Sequence, residues 1–526
     1  MKKNKIWLLL IISFAFFLRF YRLDHLELFG DELDVGYQAY SLWKTGRDYM
    51  GQKLPFYIHS FAEWRAPLLM YATAPFVGIF GLNEWGVRLP PVVFGLLNIF
   101  LLYFLVKLLT KNERLALISA FILTVIPWHI HYSRTAFEAT LLLTLMLGGT
   151  ILFLKKKYLF GVIIFALTLY TYNTANIFTP LWILILIILK KQRLLKLKVY
   201  YLLLIILILP IILSIFSGQG SARFKLISIF NNPATIDQIV FKRNTGLNPK
   251  IERVFYNKLT GWGSEFVKNY LTAFSPQFLF LNGDPNPRHN PPEFGEFYWI
   301  LAPFLLVGIW RLLRSKNLAF KHLIFSWLLL APIPSSLTIG GGNQATRLFL
   351  MLPPLVILIA LAVEKLSFSK LRLLSIYCLL FTVLFFWLHN YFIHYPQEQY
   401  KYWHYGYKEA MIWLKKYEKE HPKIIINNRH EPILLRYLFW TEKNPQWLHK
   451  NFAGDEGDFS LGKVNFARSK IKNDWQENVP YLVFQKDEVP GDWDWEKEPP
   501  EGVRTLKTVY DPWEKPMMYW IIKNNE

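Results

Sequence analysis

The sequence predicts a polytopic α-helical membrane protein of about eleven transmembrane helices, carrying a small external C-terminal domain of α/β or α+β class. Three observations lead there. Hydrophobic residues make up 53% of the 526-residue chain, above the roughly 45–50% usual in soluble domains, and they gather in residues 1–390. They form successive runs of Leu, Ile, Phe and Val, and a span needs about 20 apolar residues, or roughly 17 at the short end. Between the runs stand short clusters of Lys and Arg, the pattern that orients membrane helices.

In chain order the predicted spans are 6–22, 87–106, 115–132, 137–154, 158–177, 178–189, 199–216, 296–310, 322–339, 347–363 and 373–391. The first follows Lys2, Lys3 and Lys5. No small-residue cleavage site comes after it, so an uncleaved span is expected rather than a signal peptide. The apolar stretch Ala66–Leu82 is interrupted by Pro75, Gly78 and Gly81 and is assigned to the membrane interface without crossing. With that assignment the clusters at 107–114, 155–157, 190–198, 311–321 and 365–372 all share the side of the N-terminal lysines, as the positive-inside rule requires. Were 66–82 to cross, all five would lie outside.

The expected localisation is therefore a multi-pass protein of the cell membrane with a cytoplasmic N-terminus. The external side receives the first loop 23–86 with its juxtamembrane helices, the turn near 133–137, the loop 217–295, the Gly-rich turn 340–346 and the soluble domain 391–526. In that domain Tyr407–Lys419 has the spacing of an amphipathic helix, while Lys423–Ile426 and Tyr481–Gln485 read as strands. Such alternation gives an α/β or α+β fold.

Composition also excludes. A net charge of +21 would suit a nucleic-acid binder if the basic residues formed a patch on a soluble face; their position between spans removes that partner. One cysteine, Cys378, allows neither an intrachain disulfide nor a cysteine metal cluster. His129 and His131 are two apart and would not share a helix face. Gly340-Gly341-Gly342 lacks the Lys-Ser/Thr that completes a nucleotide-phosphate loop.

Chemistry is sought among the ionisable groups at external membrane ends, which are functional candidates by default. Asp31 and Glu32 open a helix-like stretch, Glu32–Trp43, just beyond the first span. Glu63-Trp64-Arg65-Ala66-Pro67 enters the interfacial stretch, Ser133-Arg134 with Glu138 caps the third span, and Asn343-Gln344-Ala345-Thr346-Arg347 precedes the tenth. Acids near a helix start also serve as plain caps, but four such groups face one compartment. They suit an enzyme that holds a lipid phosphate at the membrane surface. Guanidinium forks pair with phosphate oxygens, a carboxylate takes the proton of an acceptor hydroxyl, and the departing phosphate needs positive charge more than an acid. Asp284-Pro285-Asn286-Pro287-Arg288-His289 forms a turn whose Arg288 and His289 are substrate-lining candidates, with Tyr37 and Asn343. Polar Tyr170–Asn176 at an external end either lines the site or packs helices.

In order along the chain, Arg19, Gly30-Asp31-Glu32, Arg65-Ala66-Pro67-Leu68, Phe80–Pro90, Ser133-Arg134 with Glu138, and Arg347 before Leu352-Pro353-Pro354 resemble the dolichyl-phosphate-mannose protein mannosyltransferase-like family. That family belongs to the C-type (GT-C) glycosyltransferases and includes the lipid A aminoarabinose transferases. The resemblance covers about residues 1–390 and implies a GT-C-like catalytic domain there. It implies inverting transfer of a mannose-like or aminoarabinose-like monosaccharide from a polyprenyl-phosphate donor to a lipid, glycan or protein hydroxyl on the non-cytoplasmic face. Asp31 matches the family's catalytic aspartate; by their own position at the external ends, Glu32 and Glu138 are further catalytic candidates and Arg65, Arg134 and Arg347 donor-phosphate candidates. Two departures stand out: Glu138 where relatives commonly have Asp, and Arg65-Ala66-Pro67 where a basic residue usually precedes Pro-Pro. No metal or other cofactor is assigned, and a divalent metal remains compatible with the wider superfamily. The competing reading is a flippase or transporter of lipid-linked sugars, which would place charges along a midplane path; here they sit at the ends.

Overall fold

The protein is seen in a computed structural model that describes the chain except Met1, residues 61–63, 191–197, Leu247, residues 365–369, 429–432, Ala453, residues 455–457, 468–474, Pro490, Asp492 and residues 525–526. Glu63 and much of the basic clusters at 190–198 and 365–372 therefore lie outside the described residues.

The N-terminal part is helical: α1 Lys2–Phe20, α2 Gly30–Thr45, α3 Leu68–Phe80, α4 Glu84–Thr110, α5 Glu113–Val125, α6 Pro127–Tyr132, α7 Ala139–Leu154, α8 Tyr158–Leu169, α9 Ala175–Leu189 and α10 Lys198–Phe216. A short hairpin, β1 Ile58–His59 with β2 Trp64–Arg65, interrupts the second link. Residues 217–295, expected as an external loop, are largely helical: α11 Gln219–Ile227, α12 Pro233–Thr245, α13 Pro249–Phe255 and α14 Lys258–Thr272. The body closes with α15 Ala302–Leu313, α16 Leu318–Leu330, α17 Ile333–Ser336, α18 Ala345–Leu348, α19 Leu352–Glu364 and α20 Lys370–His389. One buried apolar cluster runs through these helices, with Trp128, Trp182, Trp327 and Trp387 among its largest members.

Among the described residues four helices are long and apolar enough to cross a membrane by length and composition: Glu84–Thr110, Leu318–Ser336, Ala345–Glu364 and Cys378–Glu398. Six apolar helices of 10–17 residues accompany them. Eleven uninterrupted spans are therefore not what the helices show, and the reasons are local. Span 115–132 breaks at Ile126, which is extended ahead of Pro127, whose ring cannot continue the hydrogen-bond ladder. Span 158–177 stops at Leu169, and α9 restarts at Ala175 beyond the polar turn. Helix α3, at 13 residues, is about 20 Å long, short of the roughly 30 Å hydrocarbon core.

The C-terminal domain is an α/β unit, entered through α21 Tyr395–Glu398. Its elements are α22 Tyr407–Tyr417, β3 Ile424–Asn427, α23 Ile433–Trp440, α24 Pro445–Asn451, β4 Phe459–Leu461, β5 Val464–Ala467, β6 Pro480–Phe484, α25 Gln485–Glu488, β7 Val503–Tyr510 and β8 Pro516–Lys523. The six strands make one mixed sheet in the order β4-β5-β3-β6-β8-β7, with β3 parallel to β5 and β6 and the other pairs antiparallel. The helix and both strands expected from the sequence are present. Helix α23 packs directly on α2: an added Cβ on Gly36 would stand 2.6 Å from Phe439 and 2.7 Å from Val87, so only glycine admits both neighbours. The Tyr37 hydroxyl donates to the Lys443 carbonyl at 2.9 Å. Tyr37, expected to line substrate, is instead spent on docking this domain.

Candidate active site

Helix α2 starts on Gly30 and places two acids in its first turn, where the helix dipole favours negative charge. Neighbours on a helix point about 100° apart, and the two acids separate accordingly. Glu32 turns inward, wholly buried, and binds Arg88 of α4 through two bonds, Nε to Oε1 at 2.8 Å and Nη2 to Oε2 at 2.6 Å. Arg88 also donates to the carbonyls of Leu23, Leu26 and Glu27. Glu32 Oε1 accepts the Ala136 N–H at 2.9 Å. Expected as a catalytic acid, Glu32 thus faces away from the cleft and ties α2, α4 and the 133–138 turn together.

Asp31 points the other way, its side chain 52% exposed into the cleft. The β1–β2 hairpin aims Arg65 at it. Arg65 Nη2 stands 2.5 Å from Asp31 Oδ1, and Nη1 is 3.6 Å from Asp34 Oδ2. Surrounding protein works against the charge of Asp31, but Arg65, with Arg223 and Arg288 farther off, outweighs it and holds the carboxyl below the usual carboxylate range.

The turn after α6 carries Arg134 and Glu138. Arg134 is buried and donates to the carbonyls of Leu18, Arg19 and Arg22 at 3.0, 3.0 and 2.8 Å, with its guanidinium 4.8 Å from the Phe392 ring centre. A cation on the last carbonyls of a helix is ordinary capping. Arg134 therefore closes α1 and does not reach the cleft, contrary to its expected phosphate role. Glu138 precedes α7 without capping it through its side chain and lines the cleft.

The third wall comes from 284–289 and 338–347. Asp284 Oδ1 accepts the Asn286 N–H at 2.9 Å and Oδ2 the Ala345 N–H at 2.8 Å, locking the turn to the start of α18. His289 Nδ1 lies 3.2 Å from both the Tyr132 hydroxyl and Thr346 Oγ1. Arg347 Nη1 donates to Thr338 Oγ1 at 2.6 Å. Arg288 places its guanidinium 5.5 Å from the Phe29 ring centre and, like Asn343, does not line the cleft. His129 accepts from Arg19 at 2.7 Å. No three His, Cys, Asp or Glu side chains gather as a metal group among the described residues.

What converges is a cleft of about 80 Å³ lined by Asp31, Arg65, Glu138, His289 and Arg347, all expected from the sequence, and by Tyr172, Gln344, Thr346 and Arg223. Arg223 of α11 was missed. It sits in a long polar segment with other basic residues, and nothing in the spacing separates it from Lys225. It arrives because the end of α11 is stitched to the segment before the Gly-rich turn, with a Ser228–Thr338 bridge and Ile339 N–H on the Ile227 carbonyl at 2.7 Å. Three guanidiniums against two carboxylates leave the cleft with one net positive charge. An adjoining space of about 40 Å³ shares Tyr172, Arg223 and Arg347 and continues onto Ile177, Phe224, Ile227 and Pro334. Asp31, Arg65 and Glu138 do not reach it.

Burial pushes the Asp284 carboxyl up to about 6 and the His289 imidazole down to about 4. A raised carboxyl costs the folded state free energy as pH rises through that value, so its ionised form is retained for the two N–H groups it holds. Asp284 is expected to contribute to the acid limb of kcat/KM near pH 6, with Asp31 and His289 titrating lower, while burial also raises Glu138 in the cleft. Asp284→Asn should move that limb down; an unmoved limb in this variant would assign it elsewhere.

The sequence of residues 64–216 matches the family model for dolichyl-phosphate-mannose-protein mannosyltransferase. No curated protein sequence matches the chain significantly. Among solved structures, ArnT from Cupriavidus metallidurans bound to undecaprenyl phosphate superposes with TM-score 0.58 at 11% identity, covering 98% of each chain. The oligosaccharyltransferase AglB from Archaeoglobus fulgidus, in complex with an inhibitory peptide and a dolichol-phosphate, gives 0.48 at 12% identity over 84% of this chain and 64% of its own. The resemblance read from the sequence therefore holds as a sequence match over 64–216 and as a shared fold with ArnT over nearly the whole chain.

Proposed function

We propose that the chain is an integral membrane glycosyltransferase that moves a monosaccharide from a polyprenyl-phosphate donor to an acceptor hydroxyl on the non-cytoplasmic face. The observation that carries this reading is the division of the cleft. The carboxylates Asp31 and Glu138 line its polar part, while Arg223 and Arg347 stand at the boundary with an apolar groove. A phosphate on those two arginines leaves its prenyl tail on Ile177, Phe224 and Ile227 and its sugar toward Asp31. Arg65, already held between Asp31 and Asp34, orients the base rather than the phosphate.

In this mechanism the acceptor hydroxyl gives its proton to the free carboxylate oxygen of Asp31. Its oxygen attacks the anomeric carbon opposite the phosphate, and the bond from that carbon to the phosphate oxygen breaks. The anomeric centre inverts and polyprenyl phosphate leaves, its charge held by Arg223 and Arg347. Glu138, in the same polar part, orients the acceptor. A mannose-like or aminoarabinose-like sugar and a lipid, glycan or protein acceptor are the classes that the family resemblance supports.

Arg223→Lys and Arg347→Lys keep the charge and lose the fork. Each is expected to raise the donor KM by about 10–100-fold, the worth of roughly 1.5–3 kcal/mol for a charged hydrogen bond, with kcat less changed. Arg65→Lys should instead lower kcat more than it raises KM. Steady-state kinetics in proteoliposomes reads the split, and unchanged donor KM in both Arg223 and Arg347 variants would remove them from the phosphate.

The proposed topology keeps eleven crossings, with α3 at the interface and the C-terminal domain outside. Cysteines placed at Gly220 and Lys450 in a Cys378→Ser background should react with an impermeant thiol reagent in intact cells; labelling only after lysis overturns that sidedness. The enzyme reading itself is tested with a sugar-labelled undecaprenyl-phosphate donor in proteoliposomes. The expected result is cleavage of the sugar–phosphate bond on supplying acceptor. Movement of intact donor across the bilayer without cleavage would favour the transporter.

A further inference from the structure

The segment α11–α14 is basic. Residues 219–272 hold eight Lys and Arg against three acids, a net of five positive charges in a loop long enough to be external whatever its charge. The same helices expose large apolar side chains. Phe241 is 68% exposed, Val254 70%, Phe255 63%, Leu259 77% and Leu271 63%. On a soluble surface such a density of exposed apolar groups marks an interaction site. Exposed Lys250, Arg253, Lys258 and Lys268 stand among them.

The segment is anchored to the body at its two ends, by the close of α11 against residues 337–339 and by the last turn of α14. Tyr270 donates to the Leu329 carbonyl at 2.8 Å, and Asn269 donates to the carbonyls of Ser336 and Thr338 at 3.3 and 2.9 Å. At the start, α11 follows α10, whose Phe216 is 86% exposed. Between those anchors none of the four helices has the length to cross a bilayer: the longest, α14, has 15 residues, and the run is broken by Pro233 and Pro249 at helix starts. Short helices bearing both exposed apolar and basic side chains suit the headgroup boundary, where apolar groups enter the acyl edge and Lys and Arg meet lipid phosphates.

We propose that α12–α14 lie on the external leaflet as an interfacial paddle that binds anionic phospholipid headgroups, and so hold α11, with Arg223, over the cleft. The inference rests on the proposed sidedness. Charge complementarity commits the surface to an anionic lipid face rather than to a protein, and that attraction is screened by salt.

The test places an environment-sensitive fluorophore on a cysteine at Val254 in a Cys378→Ser background, with the full chain in nanodiscs of phosphatidylcholine alone or with 30% phosphatidylglycerol. Shallow doxyl lipids should quench the label, aqueous iodide should not, and phosphatidylglycerol should strengthen the lipid quenching at least twofold. Replacing Lys250, Arg253, Lys258 and Lys268 together by Gln should abolish the phosphatidylglycerol effect and raise donor KM only in the anionic nanodiscs. Iodide quenching without lipid quenching, or a Gln variant indistinguishable from its parent in both lipids, overturns the paddle. Because the fluorescence readout needs no turnover, loss of the paddle and loss of the glycosyltransferase reading are separable outcomes.

Discussion

Asp31→Asn is expected to lower turnover by about 10²–10⁴-fold, the typical contribution of a general base, while donor binding stays near that of the parent. The substitution is nearly isosteric, so it removes basicity and charge without emptying space. Asp31 is half exposed at the cleft wall and pinned by Arg65 at 2.5 Å, which leaves its second oxygen for the acceptor. Its depressed pKa keeps it ionised throughout the neutral range. Turnover is measured with an identified donor and acceptor, and donor affinity by competition with polyprenyl phosphate. Near-parental turnover would move the base to Glu138, the other carboxylate in the cleft.

The neighbouring residue should fail in the opposite way. Glu32→Gln is expected to destabilise the folded protein by about 3–5 kcal/mol, the cost of breaking a buried ion pair from one side, and to lower activity only as the fold is lost. Glu32 and Arg88 are both essentially inaccessible to solvent, and the pair joins two helices to the turn that presents Glu138. Loss of the charge leaves Arg88 on three carbonyls without its counter-ion. Thermal unfolding in detergent reads this directly, alongside Asp31→Asn as a variant that should melt like the parent. A stable but inactive Glu32→Gln would place Glu32 in the chemistry after all.

That contrast shows what the sequence could and could not reveal. Asp31, Arg65, Glu138, His289 and Arg347 were legible because charges at the external ends of apolar runs need a reason to be there. Which way each points was not legible. Arg134 and Glu32 carry the same composition signal, yet one closes α1 and the other binds Arg88, because a helix start fixes spacing but not which neighbour fills each side. Arg223 was hidden for the converse reason, being one basic residue among several in a polar segment. The helices within 217–295 did leave signals: Asn232, Asn248 and Asn257 each cap the following helix with their side chains, and Pro follows two of them, a common helix opening. Hydropathy overrode those local signs, as it merged α5 with α6 across Pro127.

The donor site is tested by a structure of the full-length protein in a lipid nanodisc with undecaprenyl phosphate added. Density is expected for the phosphate within hydrogen-bond reach of Arg223 and Arg347, and for the tail along Ile177, Phe224 and Ile227. A larger cavity of about 420 Å³ lies elsewhere, lined by Arg22, Glu27, Trp403 and Lys408 among others, and offers the lipid phosphate a rival cation pair. Phosphate density there, with the Asp31 cleft empty, would contradict the assignment of the site.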